Sequence, residues 1–237
     1  MSPVIEFRHV DAGYGAFRAL FDVNFSIAAG EAVALVGSNG AGKTSIARVA
    51  SGLVAPSAGR VVVNGRDLTG AAAHRFARAG VAHAPEGRSV FATLTVEENL
   101  ALSVHRFRGR KGVKAGLAQA YEMFPILGER RQQPAGTLSG GEQRMLALAR
   151  VMVDAPRLLI ADELSLGLAP LMVEHTYEML EQLRAQGVAL LVIEQHVTHA
   201  LALCDRVIML SRGTPTWIGT AAEAHSRVQT FLHLPAT

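Results

Sequence analysis

Gly37-Ser-Asn-Gly-Ala-Gly-Lys-Thr44 has the form G-x-x-x-x-G-K-[ST], a phosphate cradle shared by many unrelated nucleotide enzymes. It sits between an apolar, β-branched run, Val33 to Val36, and a helical pattern from Lys43 to Val49, which is the context the motif requires. Gly37, Gly40 and Gly42 allow backbone angles and close approach that a Cβ would block. The N–H groups of Ser38, Asn39 and Ala41 and the following helix start, equivalent to about half a positive charge, then face the phosphates. Lys43 reaches the β and γ phosphates of ATP in such a loop, and the Thr44 hydroxyl is a ligand for Mg²⁺.

A second Ser-Gly-Gly turn lies a hundred residues on, in Leu138-Ser-Gly-Gly-Glu-Gln143, and opens another helical run from Glu142 to Val153. Ser139 reads as an N-cap and Gly140-Gly141 as a turn. A helix start rich in free N–H groups is also a γ-phosphate binder. One chain cannot easily wrap both turns around one nucleotide. Two subunits sharing each nucleotide would resolve the duplication.

Leu158-Leu-Ile-Ala-Asp-Glu163 is an apolar strand ending in two carboxylates. Successive strand residues point in opposite directions, so Asp162 and Glu163 need not do the same job. The first can hold Mg²⁺ through water. The second can polarise the water that attacks the γ-phosphate, and a base of this kind contributes about 10²- to 10⁴-fold.

These strands, with Leu190 to Ile193, are short buried runs followed by polar or glycine-rich segments, and helical patterns intervene. That is the doubly wound α/β arrangement with function at the carboxyl ends of parallel strands. Ile5 to Phe7, Val23 to Ile27 and Gly59 to Val63 alternate instead, predicting an antiparallel sheet beside the parallel core. Between about Glu86 and Leu138 the pattern turns helical, best at Val96 to Val104 and Leu117 to Leu127. The charge run Arg106 to Lys114 between them is read as a solvated loop rather than a nucleic-acid or lipid patch. The expected organisation is one domain over 1–237, with a core of about 1–85 and 137–237 and an inserted helical subdomain of about 86–136.

The 237 residues suffice for a full core, and a formal charge of +3 is too weak to argue for nucleic acid. Lysine is confined to Lys43, Lys111 and Lys114, which isolates Lys43 in the glycine loop. Cys204 is the single cysteine, so no intramolecular disulfide is possible, and Leu201-Ala-Leu-Cys204 makes it a buried small hydrophobe. Neither a signal peptide nor an apolar run near the roughly 20 residues of a membrane helix is present, so a cytosolic chain acting on membranes through partners is expected.

Glycine loop, Leu-Ser-Gly-Gly-Glu-Gln and Asp-Glu strand, in this order and spacing, closely resemble the ATP-binding cassette (ABC) family along essentially the whole chain. The resemblance implies a P-loop NTPase α/β cassette, with a parallel RecA-like core, an antiparallel β subdomain and an inserted α-helical subdomain. It implies head-to-tail pairing, in which Ser139, Gly140, Gly141 and Glu142 of one cassette cap the nucleotide held by the other. By the same resemblance Tyr14, in Ala12-Gly-Tyr-Gly15, stacks on adenine, and His196 is the switch histidine at the γ-phosphate, working with Glu163.

Two local variants, Ala84-Pro-Glu-Gly-Arg88 and Ser165-Leu-Gly-Leu-Ala-Pro170, resemble the shorter ATPase of branched-chain amino acid importers and their urea or amide relatives. That implies a second ATPase subunit as partner, in a heterodimer or alternatively a homodimer, two transmembrane permease subunits and, indirectly, a periplasmic solute-binding protein, at the inner face of the cell membrane and without nucleic acid. The alternatives are an export or lipid-transport cassette and a soluble ATP-switched module acting on ribosomes or DNA. The sequence departs from the family at three points. Leu164 stands where proline is usual. Glu86 puts a carboxylate near Mg²⁺ where an amide is usual. Ala169 replaces a cross-dimer aspartate.

Overall fold

The computed structural model describes residues 3–85, 87, 90–153, 156–194, 197–224 and 227, and the side chains of 105–110 and 197 are not described. In chain order the elements are β1 (Pro3–Tyr14), β2 (Phe17–Ala28), β3 (Ala32–Val36), α1 (Lys43–Ala50), β4 (Pro56–Val63), β5 (Arg66–Asp67), α2 (Ala73–Arg78) and β6 (Val81–Ala84). Then come α3 (Val96–Met123), α4 (Pro125–Glu129), α5 (Gly140–Met152), β7 (Leu158–Asp162), α6 (Pro170–Ala185), β8 (Ala189–Ile193), α7 (Val197–Leu203), β9 (Arg206–Ser211) and β10 (Thr214–Thr220). They fall into two compact units, one of Met1–His83, Arg157–Glu163 and Leu180–Thr237, the other of Ala84–Pro156 and Leu164–Met179.

The first unit carries both sheets. The larger has the order β10-β9-β3-β8-β7-β6, with parallel pairing of β3 to β8 and β9 and of β7 to β8. Every residue of β3, β7 and β8 is buried, as expected of parallel strands covered on both faces. The smaller sheet, β2-β1-β4-β5, is antiparallel. Along β2 the buried positions include Leu20, Val23, Phe25 and Ile27, and Phe25 stacks on its cross-strand partner Phe7 with ring centroids 4.6 Å apart. One apolar core joins the two sheets to α1 through residues such as Phe7, Ile27, Leu35, Ile46, Ile160 and Leu191.

The second unit is helical, and it departs from the expected loop at Arg106 to Lys114. Backbone there is helical, and the assignment runs unbroken over the 28 residues of α3. Arginine and lysine rank among the good helix formers, so a charge run need not break a helix. Yet Tyr121 Oη donates to Glu97 Oε2 at 3.0 Å across 24 positions, which a straight helix would hold about 36 Å apart. A Cβ on Gly116 would likewise lie 2.5 Å from Val104. The run is therefore two helical arms folded against each other, reversing between Val104 and Gly116. The first arm starts at a capping box, with the Glu98 backbone N–H donating to Thr95 Oγ1 and the Thr95 N–H to Glu98 Oε2. The second expected segment, Leu117 to Leu127, is interrupted at Phe124 (φ −133°, ψ 82°), because Pro125 drives the residue before it out of helical backbone.

Candidate functional site

The glycine loop leaves the carboxyl end of β3 and enters α1. A Cβ on Gly37 would lie 2.4 Å from the Leu210 carbonyl oxygen of β9, so only glycine lets the loop run this close to the sheet. Gly42 takes φ 104° and begins α1 with no side-chain cap and no acidic residue in the first turn. The positive end of α1 is thus left for an external anion. Ser38, Asn39 and Gly40 are exposed, Ala41 is buried and Thr44 is half-buried on the first turn.

Lys43 folds back over the loop, and its Nζ donates to the carbonyls of Gly37 at 2.9 Å and Ser38 at 3.2 Å. Burial lowers its pKa from the usual lysine value, while the nearby carboxylates of Glu163 and Asp162 pull it back up. A cation held by neutral carbonyls is ready to exchange them for phosphate oxygens.

Both carboxylates stand at the end of β7, Asp162 at 1% and Glu163 at 8% exposure. Among the described residues, neither Oδ1 nor Oδ2 of Asp162 has a hydrogen-bond partner. An orphaned buried carboxylate suits a hydrated dication, and among the described residues no group of three or more His, Cys, Asp or Glu could form an all-protein cage. Asp162 and Thr44 therefore fit Mg²⁺, which keeps several waters and takes one or two carboxylates plus substrate phosphates. Bound there, the ion would neutralise charge on the phosphates.

Glu163 has φ 52°, and its N–H donates to the Ile193 carbonyl of β8 at 2.8 Å. Left-handed backbone at a non-glycine residue costs about 1–2 kcal/mol and is concentrated at functional sites. Leu164 behind it is buried at 4% exposure. Tyr14, at the end of β1, is 40% exposed, its Oη 3.4 Å from Ser45 Oγ on α1. Arg48 donates to the same Oη at 3.3 Å and lies 5.7 Å from the ring centroid.

In the helical unit Ser139 caps α5 in a capping box with Glu142, whose carboxylate also takes Arg130 at 3.0 Å. Ser139 and Gly140 are exposed, and a Cβ on Gly141 would meet only Leu168, at 3.8 Å. The turn therefore presents an open, capped helix start.

A family profile described as ABC transporter matches residues 20–165. The chain is 41% identical over 210 residues to the high-affinity branched-chain amino acid transport ATP-binding protein BraG of Pseudomonas aeruginosa, covering 89% of this chain and 90% of that one. It is 35% identical over 215 residues to a probable branched-chain amino acid transport ATP-binding protein, LivF, of Archaeoglobus fulgidus, covering 90% and 91%. A solved structure of an ATP-binding subunit of an ABC transporter superposes with a TM-score of 0.86 at 28% identity, over 96% of this chain and 94% of that one. The chain belongs to the ABC transporter family.

It is accordingly an ABC ATPase with the P-loop cassette fold. Within the nucleotide-binding unit of this cassette, the glycine loop, Lys43, Thr44, Tyr14, Asp162 and Glu163 come together around the start of α1 and the ends of β3 and β7. Glu86 and His196 lie outside the described residues. Ala169, one of the departures, is exposed and precedes Pro170 at the start of α6. Cys204 is buried, and burial pushes its thiol up to about 12, so it behaves as the expected inert hydrophobe.

Sequence reasoning missed two side chains in this ABC ATPase. Gln143 is 5% exposed, and its amide donates to the carbonyls of Ala135, Gly136 and Leu138, fastening the Ser139 turn from behind. Its place in Leu138 to Gln143 was the available signal. His83 is half-buried beside Asp162, with Nε2 3.9 Å from Oδ2. A lone polar residue in the apolar strand Val81-Ala-His-Ala84 could have marked it.

Proposed function

We propose that this ABC ATPase energises a membrane importer for branched-chain amino acids or a related small solute. The observation that carries the reading is the 41% identity to a branched-chain amino acid transport ATP-binding protein across nearly all of both chains. No described helix is long and apolar enough to cross a membrane. In this reading the partners are a second ATPase subunit, in a heterodimer, and two transmembrane permeases, with a periplasmic solute-binding protein acting indirectly. The cassette works at the inner face of the membrane.

Tyr14 stacks on adenine, and residues Gly37 to Thr44 cradle the phosphates. Lys43 neutralises the β and γ groups. Thr44 and Asp162 hold Mg²⁺, with Glu86 as a further contact. Glu163 polarises the attacking water, with His196 at the γ-phosphate. Ser139 to Glu142 cap the nucleotide of the opposite cassette. The closure of one chain's Ser139 turn on the other's ATP is what converts binding into motion of the permeases.

Co-purification from the native membrane tests the assignment. Two apolar membrane proteins and a second cassette are expected, with ATP hydrolysis by the reconstituted complex stimulated by a loaded amino-acid-binding protein. Recovery of ribosomes or DNA in their place would refute it.

A further inference from the structure

Strand β6 lies beside β7, and this places His83 against Asp162. Its ring is tied down from the other side: Nδ1 lies 3.1 Å from the Oγ of Ser51, the residue that closes α1. Ser51 has one hydroxyl proton, directed to the Ala47 carbonyl at 2.8 Å, with the Arg48 carbonyl at 3.2 Å as the other acceptor in reach. With the hydroxyl proton on the Ala47 carbonyl, Ser51 accepts from His83 and Nδ1 carries the proton. In the neutral ring this leaves Nε2 as a bare acceptor.

Three buried acceptors then share one place, and among the described residues His83 Nε2, Asp162 Oδ1 and Asp162 Oδ2 all lack a donor. Buried polar groups in native proteins are almost always satisfied, and a donor brought in with a ligand would satisfy these. Lys43, the nearby cation, directs two of its three donors to the Gly37 and Ser38 carbonyls and makes no hydrogen bond to Asp162. The 3.9 Å between Nε2 and Oδ2 exceeds hydrogen-bond length, yet one water about 2.8 Å from each would bridge it. A water on a dication is a strong donor with two hydrogens, one for each acceptor.

We propose that His83 is a positioning residue for the metal at Asp162, its Nε2 accepting a hydrogen bond from a metal-bound water that Asp162 also holds. The proposal rests on the reading of Asp162 as the metal-holding carboxylate. Outer partners of this kind typically change metal affinity about 10- to 100-fold when removed. Ser51 serves the same end indirectly, by fixing the tautomer.

The test uses the full chain carrying Glu163→Gln, so that ATP persists, with Mn²⁺ as the spectroscopically visible dication. His83→Phe, similar in size but without an acceptor, is expected to weaken Mn²⁺ binding to the ATP-bound protein about 10- to 100-fold and to leave ATP affinity in EDTA unchanged. His83→Gln, which restores an acceptor oxygen, is expected to recover most of the loss. Mn²⁺ affinity within twofold of the parent in His83→Phe would overturn the proposal. Histidine ring ¹⁵N shifts provide a test that needs no variant at His83: an unprotonated Nε2 supports the proposal and a protonated one overturns it. Asp162→Asn separates the two readings. If it also binds Mn²⁺ normally, the assignment of Asp162 fails; if it loses Mn²⁺ while His83→Phe does not, only the role of His83 fails.

Discussion

Replacing Glu163 by glutamine removes one proton acceptor and leaves nearly everything else in place. The backbone N–H to the Ile193 carbonyl remains, the side chain keeps its length in a position only 8% exposed, and glutamine meets the same left-handed φ of 52°. A positioned base is worth about 10²- to 10⁴-fold, or about 3–5.5 kcal/mol of barrier, so turnover is expected to fall by that factor. ATP affinity should hold or rise, because one of the two carboxylates acting on Lys43 is lost from a site that must admit a polyanion. Phosphate release in steady state and in single turnover reads the first effect, and equilibrium ATP binding reads the second. Light scattering after chromatography with ATP is expected to show a persistent cassette dimer. Glu163→Gly relieves about 1–2 kcal/mol of left-handed strain and adds about 0.5–1 kcal/mol of chain entropy, but it also deletes a buried side chain; turnover is expected to fall as in the glutamine variant. A glutamine variant turning over within threefold of wild type would refute Glu163 as the base.

Lys43→Met should abolish ATP binding and also change the pH dependence of folding. Burial holds the Lys43 pKa below its ordinary 10.5, so between the two values the unfolded chain binds more protons and stability rises with pH. Denaturant titrations across that alkaline window should show the rise in wild type and a flatter profile in Lys43→Met. Among the loop glycines, Gly37→Ala drives a Cβ to 2.4 Å from a backbone carbonyl and should cost about 1–3 kcal/mol. Gly40→Ala meets nothing within 4 Å and incurs only the left-handed penalty of about 1–2 kcal/mol at φ 77°; equal effects on nucleotide affinity would argue against close packing as the reason for Gly37. Gln143→Leu strips a donor from three carbonyls behind the Ser139 turn. It is expected to lower ATPase activity while ATP binding by the isolated chain is kept, and normal hydrolysis would count against the capping role of that turn.

The parallel core and most of the site were legible because each rests on a local pattern. Strands β3, β7 and β8 are continuous apolar runs, and the motif residues follow them within a few positions. The reversal inside α3 was not legible as helix, since helix-forming side chains and glycines alternate through Arg106 to Lys114 and only the contacts of Tyr121 and Gly116 reveal the fold-back. The break at Phe124 was readable from Pro125. Nothing in Asp-Glu-Leu announces left-handed backbone at Glu163. A proline at 164 biases the preceding residue toward extended angles, so Leu164 is compatible with φ 52°. His83 and Ser51 stand 32 positions apart, and their link to Asp162 exists only once β6 is laid beside β7.

What the two sides of the site lack explains what it holds. On one side are donors suited to an anion: α1 starts at Gly42 with no side-chain cap, and Lys43 is held by exchangeable loop carbonyls. On the other are acceptors without a donor among the described residues, the Asp162 carboxylate and, in the tautomer proposed above, His83 Nε2. An anion alone would satisfy the first side and repel the second; a cation alone would do the reverse. A ligand carrying both, a polyphosphate with a hydrated dication, would meet both demands at once. The nucleotide and its metal should therefore bind with strong mutual dependence, and the deficit at Asp162 and His83 sets how much of that coupling the protein itself contributes.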